Sequence, residues 1–454
     1  MASISSLMGI TRIAMSAYQT AIDTTARNIA NVDNEAYSRR RASISQLVTP
    51  SSRNSGSGLG QEGIERIREH FVQNQLWYKK QNLGKNETDE LIFSQIEKTF
   101  GEPSESGLTN ILTQFWNSWN DLANDPESST ARTIVKDRAI LLSNTFKQIA
   151  SDLHNLQEEI GYDIQDRVDT INGLLSQIRE INTYSGPNMT YDLLDQRDKA
   201  IDDLSQLINI NVSEDSEGMV RITTGGNMLV PLVSGDFINP IETRVARFSE
   251  LYQVDVSFAQ GGQVEAITGG ELGSLLSIHN DYLPSYLNDL DTMAVELSQA
   301  VNAVHQTGYN LDNATGKNFF SPNVGNALTF ELDASIYADP TLIASSAYAG
   351  EAGDGTIAQQ ISDLQFANTV EAQKIGDYYN SLISNVGDRV QEAKFLKSNH
   401  EMVIQSLENQ RDSVSAVSLD EEMTNLVRYE QAYEAASRMI KVVDDLMQTV
   451  INLI

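Results

Sequence analysis

The stretch SLDEEMTNLVRYEQAYEAASRMIKVVDDLMQTVINLI places apolar or aromatic side chains at Leu426, Tyr429, Tyr433, Ala436, Ile440, Val443, Met447, Val450 and Ile454. These positions advance in unbroken steps of three and four, which predicts one amphipathic helix with a coiled-coil seam. Ser418 followed by Glu421 predicts a capping box at its start. Such a seam needs a partner helix, because an isolated helix would expose all of it to water. A second stripe runs through Leu7, Ile10, Ala14, Ala17 and Ala21. It is narrow and alanine-rich, so it suits close approach by another helix. The two termini are therefore expected to pair with each other, with further copies, or both.

Between the ends the pattern is mostly helical. Residues 49–63, TPSSRNSGSGLGQEG, read as a loop, and a helix is expected from Ile64 to Phe100, stopped by Gly101 and Pro103. The stretch GLTNILTQFWNSWNDLANDPES predicts another helix, whose Phe115, Trp116 and Trp119 fall at helical spacing and read as core. From Ser129 to Asn182 the stripe Leu142, Phe146, Ile149, Leu153, Leu156, Ile160, Ile164, Val168, Ile171, Leu175 and Ile178 is sustained, with a stutter at Ile160. A helix of that length, about 80 Å, predicts an elongated bundle.

Near Asn209 the spacing changes to alternation, clearest at Tyr252, Val254, Val256 and Phe258, which predicts a small β insertion. Helices are expected again over 270–306 and 356–411. The fold class that follows is mainly α with an inserted small β domain, elongated, with a coiled-coil core made by the terminal segments. Three units are expected: 1–48 with 416–454, 49–208 with 270–415, and 209–269.

Composition narrows the chemistry. The 454 residues include 62 acidic and 32 basic side chains, a formal charge of -30, which argues against nucleic acid as a partner. There is no cysteine, so disulfides, thiolate catalysis and zinc ribbons are excluded. MASISSLMGITRIAMSAYQ lacks a basic segment ahead of its apolar residues, so a cleaved signal peptide is not expected, and no window reads as a membrane helix. The five histidines form no recognisable ligand pair; His400 and Glu401 begin a zincin-like motif that Ile404 breaks. The segment DNATGK lacks the spacing of a phosphate loop and of a calcium loop. Adjacent acids such as Asp202 with Asp203 and Glu421 with Glu422 diverge on a helix and read as solvated. No catalytic residue, cofactor or metal is assigned, and the chain reads as a non-enzyme.

One short stretch remains, ANVDNEAYSRRR at residues 30–41. Asn28, Asn31, Asn34 and Asp33 suit a turn at the end of the first helix. Three consecutive arginines in so acidic a chain ask for acidic partners. The stretch resembles the amino-terminal signature of the axial proteins of the bacterial flagellum, Ala-Asn-x-x-Thr-x-Gly-Tyr-Ser/Lys-Arg, and the carboxyl-terminal segment is similar to the matching pattern at the other end. YDLLDQRDKAIDDLSQLINI and GGELGSLLSIHNDYLPSYLNDLDTMAVELSQAVNAVHQTGYNLDNATGKNFF resemble two internal blocks of the hook-associated proteins that join hook to filament. Another axial protein, such as hook-associated protein 3 or the hook protein, is the alternative. Glu35 and Ala36 depart from the family pattern, which has Gly at the second position, so the turn there is expected to be rebuilt. The segment after Phe320 is short, so one outer β domain and no third surface domain are expected.

The resemblance implies a structural part of the flagellum outside the cell, exported unfolded through the flagellar type III channel. Its implied partners are copies of itself, the hook protein, hook-associated protein 3 and an export chaperone, with neither nucleic acid nor membrane insertion. It implies an assembly interface at Leu7, Ile10, Ala14, Ala17, Ala21, Asn28, Asn31, Tyr37, Arg39 and Arg40, with Arg39, Arg40 and Arg41 available to acids on adjacent subunits. The carboxyl-terminal seam would serve assembly and the chaperone, and both termini are expected to order only on assembly.

Overall fold

The computed structural model describes residues 4–34, 36–46, 59–184, 189–215, 218–224, 231–248, 251–259 and 267–452. In chain order the elements are helix α1 (Ile4–Ala30), strands β1 (Arg40–Gln46) and β2 (Leu59–Arg66), and helices α2 (His70–Phe100), α3 (Leu108–Asn124), α4 (Ser129–Asn182) and α5 (Tyr191–Leu207). Strands β3 (Ile210–Glu214), β4 (Val220–Thr224), β5 (Pro231–Ser234), β6 (Phe237–Ile238), β7 (Ile241–Phe248) and β8 (Leu251–Phe258) follow. Then come α6 (Gly270–Ser277), α7 (Leu283–His305), α8 (Ala334–Ala338), α9 (Thr356–Asp363), the short pair β9 (Asn368–Val370) and β10 (Gln373–Lys374), α10 (Ile375–Ser415) and α11 (Leu419–Asn452).

Helix α4 is the spine, as its stripe requires. Ser128 caps it by accepting the Ala131 N–H, and every stripe position from Leu142 to Ile178 is buried, with no break at the Ile160 stutter. Helix α3 lies against its first half and lays Phe115, Trp116 and Trp119 into the core. The Trp119 ring meets Phe319 edge-on at 4.9 Å. Helix α2 ends where Gly101 enters the left-handed region (φ 64°) and returns its N–H to Glu97. Helix α5 crosses α2 so closely at Gly84 that a Cβ there would stand 2.3 Å from the Gln206 carbonyl oxygen.

The β insertion forms a four-stranded antiparallel meander, β3-β4-β5-β6, and a separate β7-β8 hairpin in the register Ile241 to Phe258. Val254, Val256 and Phe258 turn inward as their alternation predicts, while the side chain of Tyr252 lies outside the described residues. The buried side chains of these strands belong to the same hydrophobic cluster as α2, α3, α4 and α7. After Phe320 the described residues hold only short helical turns and the β9-β10 pair before α10.

Three expectations fail in instructive ways. Residues 59–66 are neither loop nor helix but strand β2, paired antiparallel with β1 around a bulge at Ser43 and Ile44, and the helix starts only at His70. Gly60 and Gly63, the latter at φ 137°, weaken helix there, and the neighbouring β1 supplies a ladder. Residues 49–58 lie outside the described residues. The helix expected over 356–411 is interrupted by the β9-β10 turn, where Glu371 and Ala372 both take positive φ. Such a turn is ordinarily marked by Asn or Gly, so its sequence signal is missing. Finally, Glu421 is bonded to Arg39 instead of completing a capping box with Ser418.

Candidate assembly site at the root of the terminal helices

Helices α1 and α11 pack along one another, the strongest link either makes. Ala17, Ala21, Ala436 and Val443 are buried. Leu7, Ile10, Ala14, Leu426, Tyr429, Tyr433, Ile440 and Met447 are half-buried. The side chain of Val450, and Ile454 entirely, lie outside the described residues. Beside this seam α11 exposes Met423 and Val427, and further along Met439, Val442 and Leu446. At 100 to 103° per residue these two groups sit roughly 100° to either side of the buried stripe.

Where the pair meets the body, the residues of the opening signature converge. Asn28 closes α1 and is buried; all its side-chain capacity is used. Its Oδ1 accepts the Tyr37 hydroxyl at 2.8 Å and the Arg40 N–H at 3.1 Å. Its Nδ2 donates to the Arg40 carbonyl at 2.8 Å and to Glu422 Oε2 at 3.0 Å. Arg39 donates to Glu422 Oε1 from Nε at 2.9 Å and reaches Glu421 at 2.9 Å from Nη2. The Arg39 N–H bonds the Ser415 carbonyl at 3.1 Å, so the chain leaves α1 and enters α11 at one place. Asn31 is half-buried and donates to the Arg27 carbonyl. The turn itself is made with Asn34 Oδ1 accepting the Ala36 N–H at 3.2 Å, and Ala36 is not among the non-glycine residues at positive φ. Glu35 lies outside the described residues.

A second layer joins this root to the body through the acidic face of α5. The spacing 192, 195, 198/199, 202 puts Asp192, Asp195, Asp198 and Asp202 on one side of that helix. Thr190 caps it by accepting the Leu193 N–H. Arg40 bridges Asp192 and Asp195, the latter at 3.0 Å. Arg66, from β2, bonds Asp195 through Nε at 2.9 Å and also pairs with Asp198. Arg68 reaches Asp198 at 2.7 Å, and Asp202 accepts from Gln73 at 2.8 Å, from Trp77 and from Lys80 at 3.0 Å. Arg197, facing the other way, ties the Gly218 carbonyl at 2.6 Å and Glu214 at 3.1 Å. Burial works against the charge on Arg40, but its bonds to Asp192 and Asp195 outweigh this and hold its pKa above the ordinary value. Burial wins at Arg68, whose pKa is lowered despite Asp198, with Arg66 and Arg197 adding to the effect. Burial also raises the Tyr37 hydroxyl.

The arginines are thus committed within the chain: Arg39 to α11, Arg40 to α5 and exposed Arg41 to Glu65 at 3.3 Å. The solvated reading of the adjacent acids fails for one member of each pair. Glu422 is 2 % exposed and bonded to Asn28 and Arg39, and Asp202 is enclosed by three donors. Neighbours on a helix diverge, which is why one can face outward while the other is bonded within the fold. The acids of α5 and the root arginines are separated by more than 120 residues, so no local pattern marks their pairing. Among the described residues no group of three metal-ligating side chains and no helix fit to cross a membrane occurs.

Comparison with known proteins adds an independent line. The pattern described as the flagellar hook-associated protein FlgK helical domain matches residues 93–320. The flagellar basal body rod FlgEFG protein C-terminal pattern matches residues 408–453. The chain is 30 % identical to flagellar hook-associated protein 1 of Bacillus subtilis, over 99 % of this chain and 98 % of that protein. It is 24 % identical to the protein of the same name from Salmonella typhimurium, over 99 % and 100 %. In structure it is similar to the flagellar hook junction protein FlgK from Burkholderia pseudomallei, with a TM-score of 0.66 at 15 % identity, covering 75 % of this chain and all of that one.

Proposed function

The chain belongs to the flagellar hook-associated protein 1 family, and from that premise we propose how it performs its part. It is a structural component of the flagellum at the hook–filament junction and associates there with other axial components. Its role is that of an adaptor without turnover: the terminal pair docks into the axial array, and the root clasp sets how the body stands on that pair. The observation that carries this reading is the pair of apolar flanks on α11, Met423 with Val427 and Met439 with Val442 and Leu446, left uncovered beside a seam already filled by α1. Two different faces on one helix call for two different neighbouring surfaces, the heterologous kind of contact that builds an array.

The neighbours are copies of this chain, the hook protein on one side and hook-associated protein 3 on the other. Leu7, Ile10, Ala14, Ala17 and Ala21 complete the seam from α1, while Asn28, Asn31, Tyr37, Arg39 and Arg40 hold its exit. Before assembly the same α11 stripe is an aggregation hazard, and an export chaperone covers it at Leu426, Tyr433, Ile440 and Met447 on the way to the type III channel. The test is a Val442→Asp, Leu446→Asp variant of the full chain. Its unfolding midpoint should match the parent while it no longer forms junctions in cells; normal junctions would sink the reading. For the chaperone, Ile440→Asp with Met447→Asp should abolish co-purification, and undiminished binding would reject those contacts.

A further inference from the structure

Helix α2 carries an uncovered flank of its own. Phe71 and Tyr78 are 70 % and 58 % exposed. They stand seven residues apart, two turns and about 10 Å along one side of the helix. Exposed Asn74 and half-buried Gln75 lie between them. Residues 70–86 include no acidic side chain, although the whole chain carries 62 acidic against 32 basic residues. The lysines of this stretch are not alike. Lys80 is held by Asp202 at 3.0 Å and Lys85 by Asp89 at 3.5 Å. Lys79 lies over the Tyr78 ring at 5.6 Å and makes no ion pair among the described residues.

Helix α11 opens with the complementary arrangement. Leu419, Met423 and Val427 are exposed on one flank in steps of four, about 12 Å from end to end. Beside them Asp420 is exposed and makes no ion pair among the described residues. Resting on the reading that α11 docks on neighbouring surfaces, we propose that the α2 flank receives the start of α11 from a second copy of this chain. Phe71 and Tyr78 meet Leu419 and Met423, and Lys79 pairs with Asp420. Two observations select this occupant. The first is level: α2 begins at the root, where Glu69, Gln73 and Lys80 border the same cleft as Ser415, Ala416 and Val417. Copies standing side by side on equivalent stems bring equal levels together, so what flanks one root meets the next root. The second is charge: copies of formal charge -30 repel one another, so their contact needs a surface without acids set against one that bears them. Because the two flanks differ, each copy gives one and receives the other, and the contact propagates from copy to copy.

The absence of cysteine makes the contact directly testable. The full chain carrying Tyr78→Cys and Met423→Cys is assembled into junctions in cells, and the isolated flagella are treated with a short thiol-to-thiol cross-linker. A ladder of products running past the dimer is expected. A mixture of Tyr78→Cys copies with Met423→Cys copies should stop at dimers, and Tyr162→Cys with Met423→Cys, which uses an exposed tyrosine of α4, should give neither. In parallel, Lys79→Glu should lower the number of junctions severalfold at an unchanged unfolding midpoint, and Asp420→Lys in the same chain should restore it. Normal junctions without a ladder, an equal ladder from the Tyr162→Cys control, an undiminished count with Lys79→Glu, or no rescue by Asp420→Lys would overturn the proposal. If the double-cysteine chain does not assemble, the charge exchange decides alone. The Val442→Asp, Leu446→Asp variant judges the underlying reading separately: junctions lost there, with no ladder here, would keep α11 as a docking helix and remove α2 as its partner.

Discussion

Helices α4 and α11 are both long and both striped, yet they end in different conditions. On α4 every stripe residue from Leu142 to Ile178 is buried. On α11, among the described seam residues, only Ala436 and Val443 reach that state, and Met423, Val427, Met439, Val442 and Leu446 face outward. The body has enough partners of its own to close its core; the terminal pair has one partner and needs more. Periodicity alone does not separate a helix that is satisfied from one that is waiting.

The largest break in this comparison is a cavity in the body. Phe146→Ala should cost about 3–5 kcal/mol in chemical denaturation, because Phe146 is fully buried and stacks edge-on with Phe330 at 5.0 Å. Acid should act on the same region. His305 accepts the Ala344 N–H at Nε2 and faces the Lys317 carbonyl at Nδ1, the pattern of a neutral ring. Burial pulls its pKa down to about 4. The unfolded chain therefore binds the proton first, so this stability is complete above about pH 6.5 and is lost as pH falls toward about 4, by about 3 kcal/mol in all. His305→Gln should flatten that part of the stability–pH curve.

Smaller is the expected effect of Glu422→Ala, about 2 kcal/mol. It should appear as faster hydrogen exchange in residues 4–46 and 419–452 while α4 stays protected, since Glu422 binds only the root. Equal loosening of α4 would show that pair and body unfold as one. Val442→Ser should change monomer stability by less than about 0.5 kcal/mol yet impair assembly. Hydrogen exchange on the parent monomer decides the expectation that the termini order only on assembly: in this structure α1 and α11 are already paired, so protection at both ends would replace that expectation.

What could be read from the sequence follows from the range of each interaction. The α4 stripe, the aromatic core of α3 and the inward face of β8 repeat at fixed local spacing, and all three were legible. The root clasp was not, although its pieces were each visible. Arg40 and Asp195 are 155 residues apart and Arg39 and Glu422 are 383 apart, so nothing local couples them. The acidic face of α5 carried a signal in its 192, 195, 198, 202 spacing, but such spacing equally fits a solvated helix. Strand β2 was hidden because its Gly-rich, polar sequence has little strand propensity and takes its form from β1.

The backbone bond from Arg39 to Ser415 has a topological meaning. Residues 40–414 leave and return to a single point, so they form a closed excursion hung from a two-helix stem. Strands β1 and β2, at the start of that excursion, stay packed against stem helix α1, so beyond them material can be added without touching the stem helices. The chain is modular at one joint, and that joint is where its arginines are concentrated.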